Sequence, residues 1–157
     1  MKKTETRVTM QTIDETDLQI LALLRENARI SLKNIAERTF LSSTAVSARI
    51  EKLEENGYIG GYYARINPQA FGFNIKAFIN LEVEPIQKSE FYPYIRSCPN
   101  VVECNCVTGE YSMLLEVVFS STNELDHFIG ELQHFGKTKT QIVFSTPVEH
   151  RDVLPLK

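Results

Sequence analysis

The sequence SLKNIAERTFLSSTAVSARIEKLEENG, residues 31–57, decides how the first part of the chain folds. Ser31 predicts the start of a short second helix, because a serine hydroxyl can accept a hydrogen bond from a free amide at a helix N-terminus. Ser42 predicts the start of a third helix in the same way, and Gly57 predicts its end. The apolar residues at helical spacing, which we expect to face inward, are Leu32, Ile35, Ala36, Val46, Ile50 and Leu53.

A first helix is predicted upstream, over residues 14–27. Asp14 stands at its N-cap and Asp17 at the third helical position, which is the spacing of a capping box. Ile13 and Leu18 are spaced as the hydrophobic staple that often accompanies such a cap. The first part of the chain is therefore expected to contain three closely connected helices.

After the third helix, β-forming residues flank Gly60 and Gly61, which predicts a small hairpin, or wing. The segment that follows contains proline and glycine and predicts a connection between two domains. We therefore expect a winged helix-turn-helix domain with an N-terminal arm over residues 1–65, a linker over residues 66–74 and a second domain over residues 75–157.

The second domain has the pattern of alternating strands and helices. Residues 75–84 alternate apolar and polar side chains, which indicates a strand with one apolar face. Pro93 is expected near the first turn of the following helix, because an interior proline removes a helix hydrogen bond. Ser121 and Glu124 are spaced as a capping box before the last helix. The other predicted elements are a helix over 89–97 and strands over 101–107, 111–119 and 138–146.

The order β-α-β-β-α-β predicts an α+β fold, in which the winged helix-turn-helix precedes a ferredoxin-like, ACT-like domain. Two helices would cover one face of its four-stranded antiparallel sheet and leave the other face open. Because the open face is too apolar to remain in water, we expect a second copy of the chain to cover it in a twofold dimer. The residues predicted on this face are Phe78, Leu114 and Val118, with either Val101 and Val107 or their alternates.

Composition limits the class of protein. The chain is 43% hydrophobic and 24% charged, which is typical of a globular protein, and its net charge of −3 comes from the second half of the chain. No apolar run suits a signal peptide or a membrane span, so we expect a cytoplasmic protein without a membrane partner. The three cysteines are expected to stay reduced.

The run from Asp14 to Gly72 resembles the leucine-responsive and asparagine-synthetase regulator family, Lrp/AsnC, and the resemblance continues to the end of the chain. Its most specific pieces are LSSTAVSARIEKLEENGYI, residues 41–59, and VTGEYSMLLEV, residues 107–117. The resemblance implies a transcription regulator that binds double-stranded DNA and responds to an amino acid or a related small metabolite. It also implies a homodimer that assembles into an octamer, with no enzymatic activity and no cofactor.

Two residues depart from the usual pattern of this family. Phe40 lies in the turn before the third helix, where many relatives have glycine, and a bulky residue there predicts either a turn without positive φ or modest strain. Ser112 stands where relatives often have aspartate, so the obvious anchor for an amino group is missing. The ligand is then expected to differ, or to be absent.

The second helix of a helix-turn-helix places its N-terminal residues at base edges in the major groove. We therefore expect DNA contacts from the outward, N-terminal half of the third helix. Arg49 is the strongest single candidate, because arginine can bond guanine through two donors. The alternative is that the hydroxyls only cap the helix and Arg49 pairs with nearby glutamates. The candidate DNA-binding residues are Ser42, Ser43, Thr44, Ser47, Arg49 and Lys52.

The first domain is nearly neutral, so tight binding should need two or more copies, on sites about one helical turn (~34 Å) apart. The turn that begins at Thr108 is the expected effector site, because its amides, hydroxyl and carboxylate suit a zwitterion such as an amino acid. The alternative is a plain hairpin connection. The candidate effector-binding residues are Thr108, Gly109, Glu110, Tyr111 and Ser112.

No catalytic or metal site is expected from the sequence. Cys104 and Cys106 would share one face of a strand, but the histidines are not at zinc spacing, so we expect buried structural thiols. No Ser-His-Asp, phosphate-loop or glycine-rich nucleotide signature occurs. Two other functions stay open, namely an enzyme resembling the sirohaem decarboxylases, which look like Lrp/AsnC proteins, and a partner subunit without an effector.

Overall fold

The computed structural model describes residues 13–155, which form five α-helices and four β-strands in two compact units. The second unit is Ile66–Glu149, and among the described residues the first contains 13–65 together with 150–155. The sequence led us to expect the second domain over residues 75–157. The structure differs at the C-terminal end, where the tail groups with the first unit.

The C-terminal tail contacts the first helix through one hydrogen bond. Arg25 Nη1 donates to the backbone oxygen of Asp152 at 3.3 Å, and the side chain of Leu154 is half-buried. Nothing in the local sequence pattern of the tail indicates this contact, because it joins residues that are far apart in the chain.

Three capped helices form the first unit, as the sequence predicts. Asp14, Ser31 and Ser42 each accept a hydrogen bond from the backbone amide three residues further on. The capping box is confirmed, because the amide of Asp14 also donates to the carboxylate of Asp17 at 3.1 Å. The helices are α1, Glu15–Glu26; α2, Leu32–Thr39; and α3, Ser43–Glu55.

One small hydrophobic cluster joins these three helices. Ile20 of α1, Ile35 of α2 and Val46 of α3 are fully buried, and Leu53 is 3% exposed. Each helix therefore contributes at least one buried side chain, and burial of apolar surface is what holds the helices together.

The paired strands predicted around Gly60 and Gly61 are not formed. From Ile59 to Asn67 the described chain carries no strand or helix, and a short 3₁₀ turn follows at Pro68–Phe71. The hydroxyl of Tyr62 donates to Glu54 Oε1 at 2.8 Å and so holds this segment to the end of α3. A side-chain contact with the helix takes the place of a hairpin ladder.

The second unit is a four-stranded antiparallel sheet with two helices. The strand order is β2-β3-β1-β4, in which β1 and β3 are central, as a split β-α-β arrangement requires. The elements are β1, Ile75–Leu81; α4, Lys88–Ser97; β2, Val101–Cys106; β3, Met113–Phe119; α5, Thr122–Leu132; and β4, Thr138–Ile142.

The main core lies between one face of this sheet and the two helices. Alternate residues of the central strands are buried, as the period-two pattern predicts, while Phe91 of α4 and Leu132 of α5 are fully buried against them. The buried sheet residues are Ala77, Ile79, Leu81, Met113, Leu115, Val117 and Phe119.

Two local predictions about the helices of this unit need correction. Pro93 lies inside α4 and not near its first turn, because helical structure begins earlier, with a 3₁₀ turn at Pro85–Gln87 that leads directly into α4. Buried Phe91 and Ile95 hold the helix to the sheet on both sides of the proline.

The expected capping box at α5 is only half formed. Ser121 Oγ accepts from the amide of Glu124 at 3.2 Å. The carboxylate of Glu124, however, accepts from the amide and hydroxyl of Ser120 and not from the amide of Ser121. The hydroxyl of Ser120 supplies a second donor, which makes it the better partner for the carboxylate.

The open face of the sheet is less apolar than the sequence suggested. Phe78, Leu114 and Val118 lie there and are half-buried, but Lys76 and Glu116 lie among them and form an ion pair of 2.7 Å. Val101 is not part of this face, because it pairs with buried Val117 before an irregularity in β2, and Val107 lies beyond the end of β2. The open face is therefore mixed in character.

The cysteines differ in burial. Cys104 is half-buried against the core, whereas Cys106 is exposed at the end of the edge strand β2, so the prediction of buried thiols is wrong for Cys106.

Among residues 13–155, no helix has both the length and the apolar content that crossing a membrane requires.

Gly136, which lies just before β4, provides a test of how closely the backbone packs against Glu82. Its φ of 149° is unfavourable for other residues, and an added Cβ would overlap the carbonyl oxygen of Glu82. Gly136→Ala should therefore lower the free energy of unfolding by about 2–4 kcal/mol. Gly130→Ala in α5 is the matched control, because its Cβ meets open space and alanine favours a helix by up to about 1 kcal/mol. Urea denaturation followed by circular dichroism measures both, and equal stabilities would contradict this account.

Candidate nucleic-acid interface and effector turn

The turn between α2 and α3 is short and leaves the first turn of α3 exposed. Leu41 donates its amide to Ala36 O at 3.1 Å, which folds the chain back directly after α2. Ser42 Oγ accepts from the amide of Ala45 at 3.2 Å, so the capping role of this serine is observed. Ser43 and Thr44 follow with exposed side chains.

The outward face of α3 carries part of the predicted DNA-binding set. Thr44, Ala48 and Lys52 are four residues apart, so they lie in one row along the helix, and all three are exposed. Ser47 is half-buried, and its hydroxyl donates to Glu51 Oε1 at 3.3 Å. The hydroxyls and the lysine of this face, but not the serine held by Glu51, are directed at solvent.

Arg49 is placed differently from the rest of the predicted set. It lies three positions after Val46 and four before Leu53, so it shares a stripe of the helix with these buried residues. Its Nη1 donates to Asp14 Oδ2 at 2.7 Å and to Asp17 Oδ1 at 2.8 Å. The guanidinium thus binds the capping box of α1. The sequence analysis offered ion pairing of Arg49 with nearby glutamates as the alternative to DNA contact. Arg49 is indeed ion-paired, but its partners are the two aspartates of α1.

The charges of this contact support each other. The pKa of Asp14 is held below its ordinary value, first by the hydrogen bond from the amide of Asp17 and then by the guanidinium of Arg49. The pKa of Arg49 is raised by its hydrogen bonds to Asp17 and Asp14. The side chain of Asp17 is only 16% exposed, so one of the two ion pairs is partly shielded from water and salt.

The second half of α3 is acidic at its surface. Glu51, Glu54 and Glu55 are exposed, and Glu54 accepts a hydrogen bond from the hydroxyl of Tyr62. The pKa of Tyr62 is raised to about 12 by burial and then by this carboxylate. Carboxylates repel phosphates, so the surface best suited to approach DNA is the first two turns of the helix, with Lys52 as a basic group just beyond them. Tyr62 was not among the predicted residues, since no short-range pattern connects it to α3.

The predicted effector turn lies beside the end of β1. Thr108, Gly109 and Glu110 are exposed and Tyr111 is half-buried. Gly109 has φ 118°, a conformation that other residues rarely adopt, so glycine permits this turn. The turn is therefore accessible to a small molecule at its tip.

Ser112 has a structural role within this turn. Its hydroxyl accepts from the amide of Val83 at 2.9 Å and donates to the carbonyl oxygen of Val83 at 3.2 Å. Its amide also donates to Leu81 O at 3.2 Å. Ser112 is thus tied to the end of β1, and the remaining candidates for ligand contact are the four residues before it.

Lys137 joins the effector turn, although the sequence analysis missed it. Its Nζ lies 3.4 Å from Glu110 Oε1 and 6.0 Å from the centre of the Tyr111 ring. The hydrogen bond to the carboxylate of Glu110 raises the pKa of Lys137, and the charge of the Tyr111 hydroxyl group adds to this effect. Lys137 is 27 residues from Glu110 in sequence, and only the pairing of β4 with β1 brings it here. A carboxylate, an ammonium group and an aromatic ring therefore meet at the turn.

Comparisons with known proteins match both units. Residues 13–59 match the family model described as winged helix-turn-helix DNA-binding, and residues 76–153 match the model of the Lrp/AsnC ligand binding domain. The HTH-type transcriptional regulator LrpA of Bacillus subtilis is 36% identical over 132 residues, which are 83% of this chain and 97% of LrpA.

Two solved structures have the same fold as this chain. A transcriptional regulator of Neisseria meningitidis, in complex with L-Met, is 30% identical with a TM-score of 0.83, over 92% of this chain and 97% of that one. A feast or famine regulatory protein of Mycobacterium tuberculosis, complexed with L-methionine, is 29% identical with a TM-score of 0.83, over 92% of this chain and 100% of that one.

The contact of Arg49 with α1 predicts a stability effect. Arg49→Met keeps the apolar stem of the side chain but leaves two neighbouring carboxylates without their cation. We expect the free energy of unfolding to fall by about 1–2 kcal/mol. Lys52→Met removes the same charge from an exposed position of the same helix and should change stability by no more than about 0.5 kcal/mol. Urea denaturation of both variants decides the matter, and equal losses would remove the structural role assigned to Arg49.

Proposed function

Because the chain belongs to the Lrp/AsnC family of transcription regulators, we propose that it reads operator DNA through the first two turns of α3 and that an amino acid at the turn 108–112 modulates this binding. Like its curated relatives, which are HTH-type transcriptional regulators, the chain is a DNA-binding regulator and not an enzyme. An activity like that of the sirohaem decarboxylases is therefore set aside.

The observation that carries the DNA proposal is the exposed face at the start of α3. Ser43, Thr44 and Lys52 are exposed on a helix whose opposite side is fixed to α1 and α2. A helix with hydroxyls in its first turn suits the major groove, where such groups bond to base edges, and a lysine about two turns further along suits a phosphate. Ser42 supports this surface as the cap, and Ser47 lies beside it.

Arg49 has a different part in this proposal. Its guanidinium is engaged by Asp14 and Asp17, so it positions α3 for binding and does not itself read a base. The contact of one nitrogen with two carboxylates fixes the rotation of α3 about its own axis, because hydrogen bonds are directional. The first turn of α3 is then presented to DNA in one orientation.

Binding is proposed to need two copies of the chain. The first unit is nearly neutral, so a single copy gains little from the phosphate charge. Half-buried Phe78, Leu114 and Val118 on the open face of the sheet offer the apolar part of a dimer contact. We further propose that these dimers assemble into the octamer that the sequence resemblance implies. The cytoplasm is the proposed compartment in which the protein binds DNA.

An amino acid is the proposed effector, because the turn presents complementary charges. The ammonium group of an amino acid suits Glu110, and its carboxylate suits Lys137, which lies 3.4 Å from Glu110 in the free protein. The half-buried ring of Tyr111 offers an apolar contact to a side chain. Two structurally similar regulators are complexed with L-methionine, which makes L-methionine the first candidate for this chain.

The DNA proposal is tested by selecting duplexes from a random pool with the full chain. We expect two copies of a short motif about one helical turn apart. On the selected duplex, Thr44→Ala should weaken binding roughly fivefold, since it removes one hydrogen bond. Lys52→Ala should lower the slope of log affinity against log salt by about 1. Lys88→Ala, in the second unit, is the control and should change neither value. A chain that selects no sequence contradicts the proposal.

The effector proposal is tested by calorimetric titration with L-methionine, L-leucine and the other common amino acids. We expect heat from at least one of them. Glu110→Gln and Lys137→Met should each weaken its binding about tenfold, since each removes a charged partner of the zwitterion. Lys139→Met, which removes a nearby exposed lysine of β4, is the matched control. No heat with any amino acid, or equal effects of the two lysine variants, would refute the assignment.

A further inference from the structure

Phe40 combines two unfavourable features at the start of the interface. Its backbone is left-handed, with φ 56° and ψ 35°, and it is the single non-glycine residue among residues 13–155 with a positive φ. The residue is also 96% exposed. The sequence left open a turn without positive φ or a strained one, and the structure has the strained form.

Neither feature is explained by the packing of the first unit. Glycine adopts the left-handed conformation without the steric penalty that a Cβ brings, so the turn itself does not require phenylalanine. Phe40 is also absent from the hydrophobic cluster that joins the helices in the described part of the chain. The neighbouring residue, Leu41, supplies the inward contact of this turn.

The position of Phe40 places its ring beside the proposed DNA-reading surface. It caps α2 and precedes Ser42, the cap of α3, by two residues, so the Cα atoms of Phe40 and Ser42 are at most about 7 Å apart. Ser43 and Thr44, the exposed residues that we propose to face base edges, come next. The exposed ring is therefore continuous with the DNA-reading surface.

We propose that the ring of Phe40 contacts the C5-methyl group of a thymine in the operator and makes the chain selective for thymine at that position. This inference rests on the proposed DNA-binding function. Thymine carries the apolar group that projects into the major groove, and phenylalanine is one of the residues that contact it. Contact with the methyl group removes apolar surface of the ring from water, which the free protein does not achieve.

The test starts from the duplex that the wild-type full chain selects. Each thymine of one half-site is replaced in turn by deoxyuridine, which lacks only the methyl group, and dissociation constants are measured at one salt concentration. For wild type, one replacement should weaken binding about fourfold, the value that corresponds to burial of one methyl group. Phe40→Gly should bind the unmodified duplex more weakly and show no further loss on the same replacement.

Two controls keep the result specific. Phe40→Gly should unfold at the same temperature as wild type or higher, because glycine relieves the left-handed strain, so weak binding by this variant cannot come from misfolding. Tyr63→Ala removes another aromatic ring of the first unit, which is 85% exposed, and should keep the full sensitivity to deoxyuridine.

The possible failures are distinguishable. If the wild-type chain selects no sequence, the DNA-binding proposal fails and this inference fails with it. If the chain selects a sequence but Phe40→Gly binds it as tightly as wild type, only the inference about Phe40 is overturned. It is also overturned if Phe40→Gly and wild type lose affinity equally on every deoxyuridine replacement, because the ring then does not contact the methyl group.

Discussion

The contact of Arg49 with Asp14 and Asp17 is the interaction on which the DNA-facing unit depends. It joins the middle of α3 to the first turn of α1, across 35 and 32 positions of sequence. The two carboxylates that cap α1 therefore also fix α3. The apolar cluster beneath them supplies attraction without direction, whereas these charged hydrogen bonds have a defined geometry. The cluster brings the helices together, and in the proposed function Arg49 sets the side that α3 presents.

A similar constraint shapes the effector turn in the second unit. Ser112 holds the turn to the end of β1 through the backbone of Val83, and the amide of Glu82 donates to Lys137 O at 3.0 Å. Gly136 allows this close approach, because no side chain stands between its backbone and Glu82. These contacts place Glu110 and Lys137 side by side at the edge of the sheet. If the turn binds an effector as proposed, a site held in this way loses little conformational freedom when the ligand enters.

The sequence predicted what local spacing determines and missed what distant contacts determine. The caps Asp14, Ser31 and Ser42 and the alternation in β1 and β3 are local patterns, so the helices, strands and fold class followed from them. The roles of Arg49 and Lys137 depend on partners far away in the chain. The segment at Gly60 has the residues of a hairpin, but Tyr62 binds Glu54 instead. Local patterns thus led us to propose α3 as the reading helix, but they did not distinguish which of its polar side chains face outward.

The most direct test of the account is the nuclear magnetic resonance signal of the Arg49 Nε–H group, recorded for the free chain and for the chain bound to its selected duplex. If Arg49 positions α3 and does not read DNA, its signal stays in place on binding, while the backbone amide signals of Ser43 and Thr44 shift. A large shift of the Arg49 signal, accompanied by a rise in the pKa of the Asp14 carboxyl as it loses the guanidinium, would show that Arg49 leaves α1 for the DNA and would contradict the account.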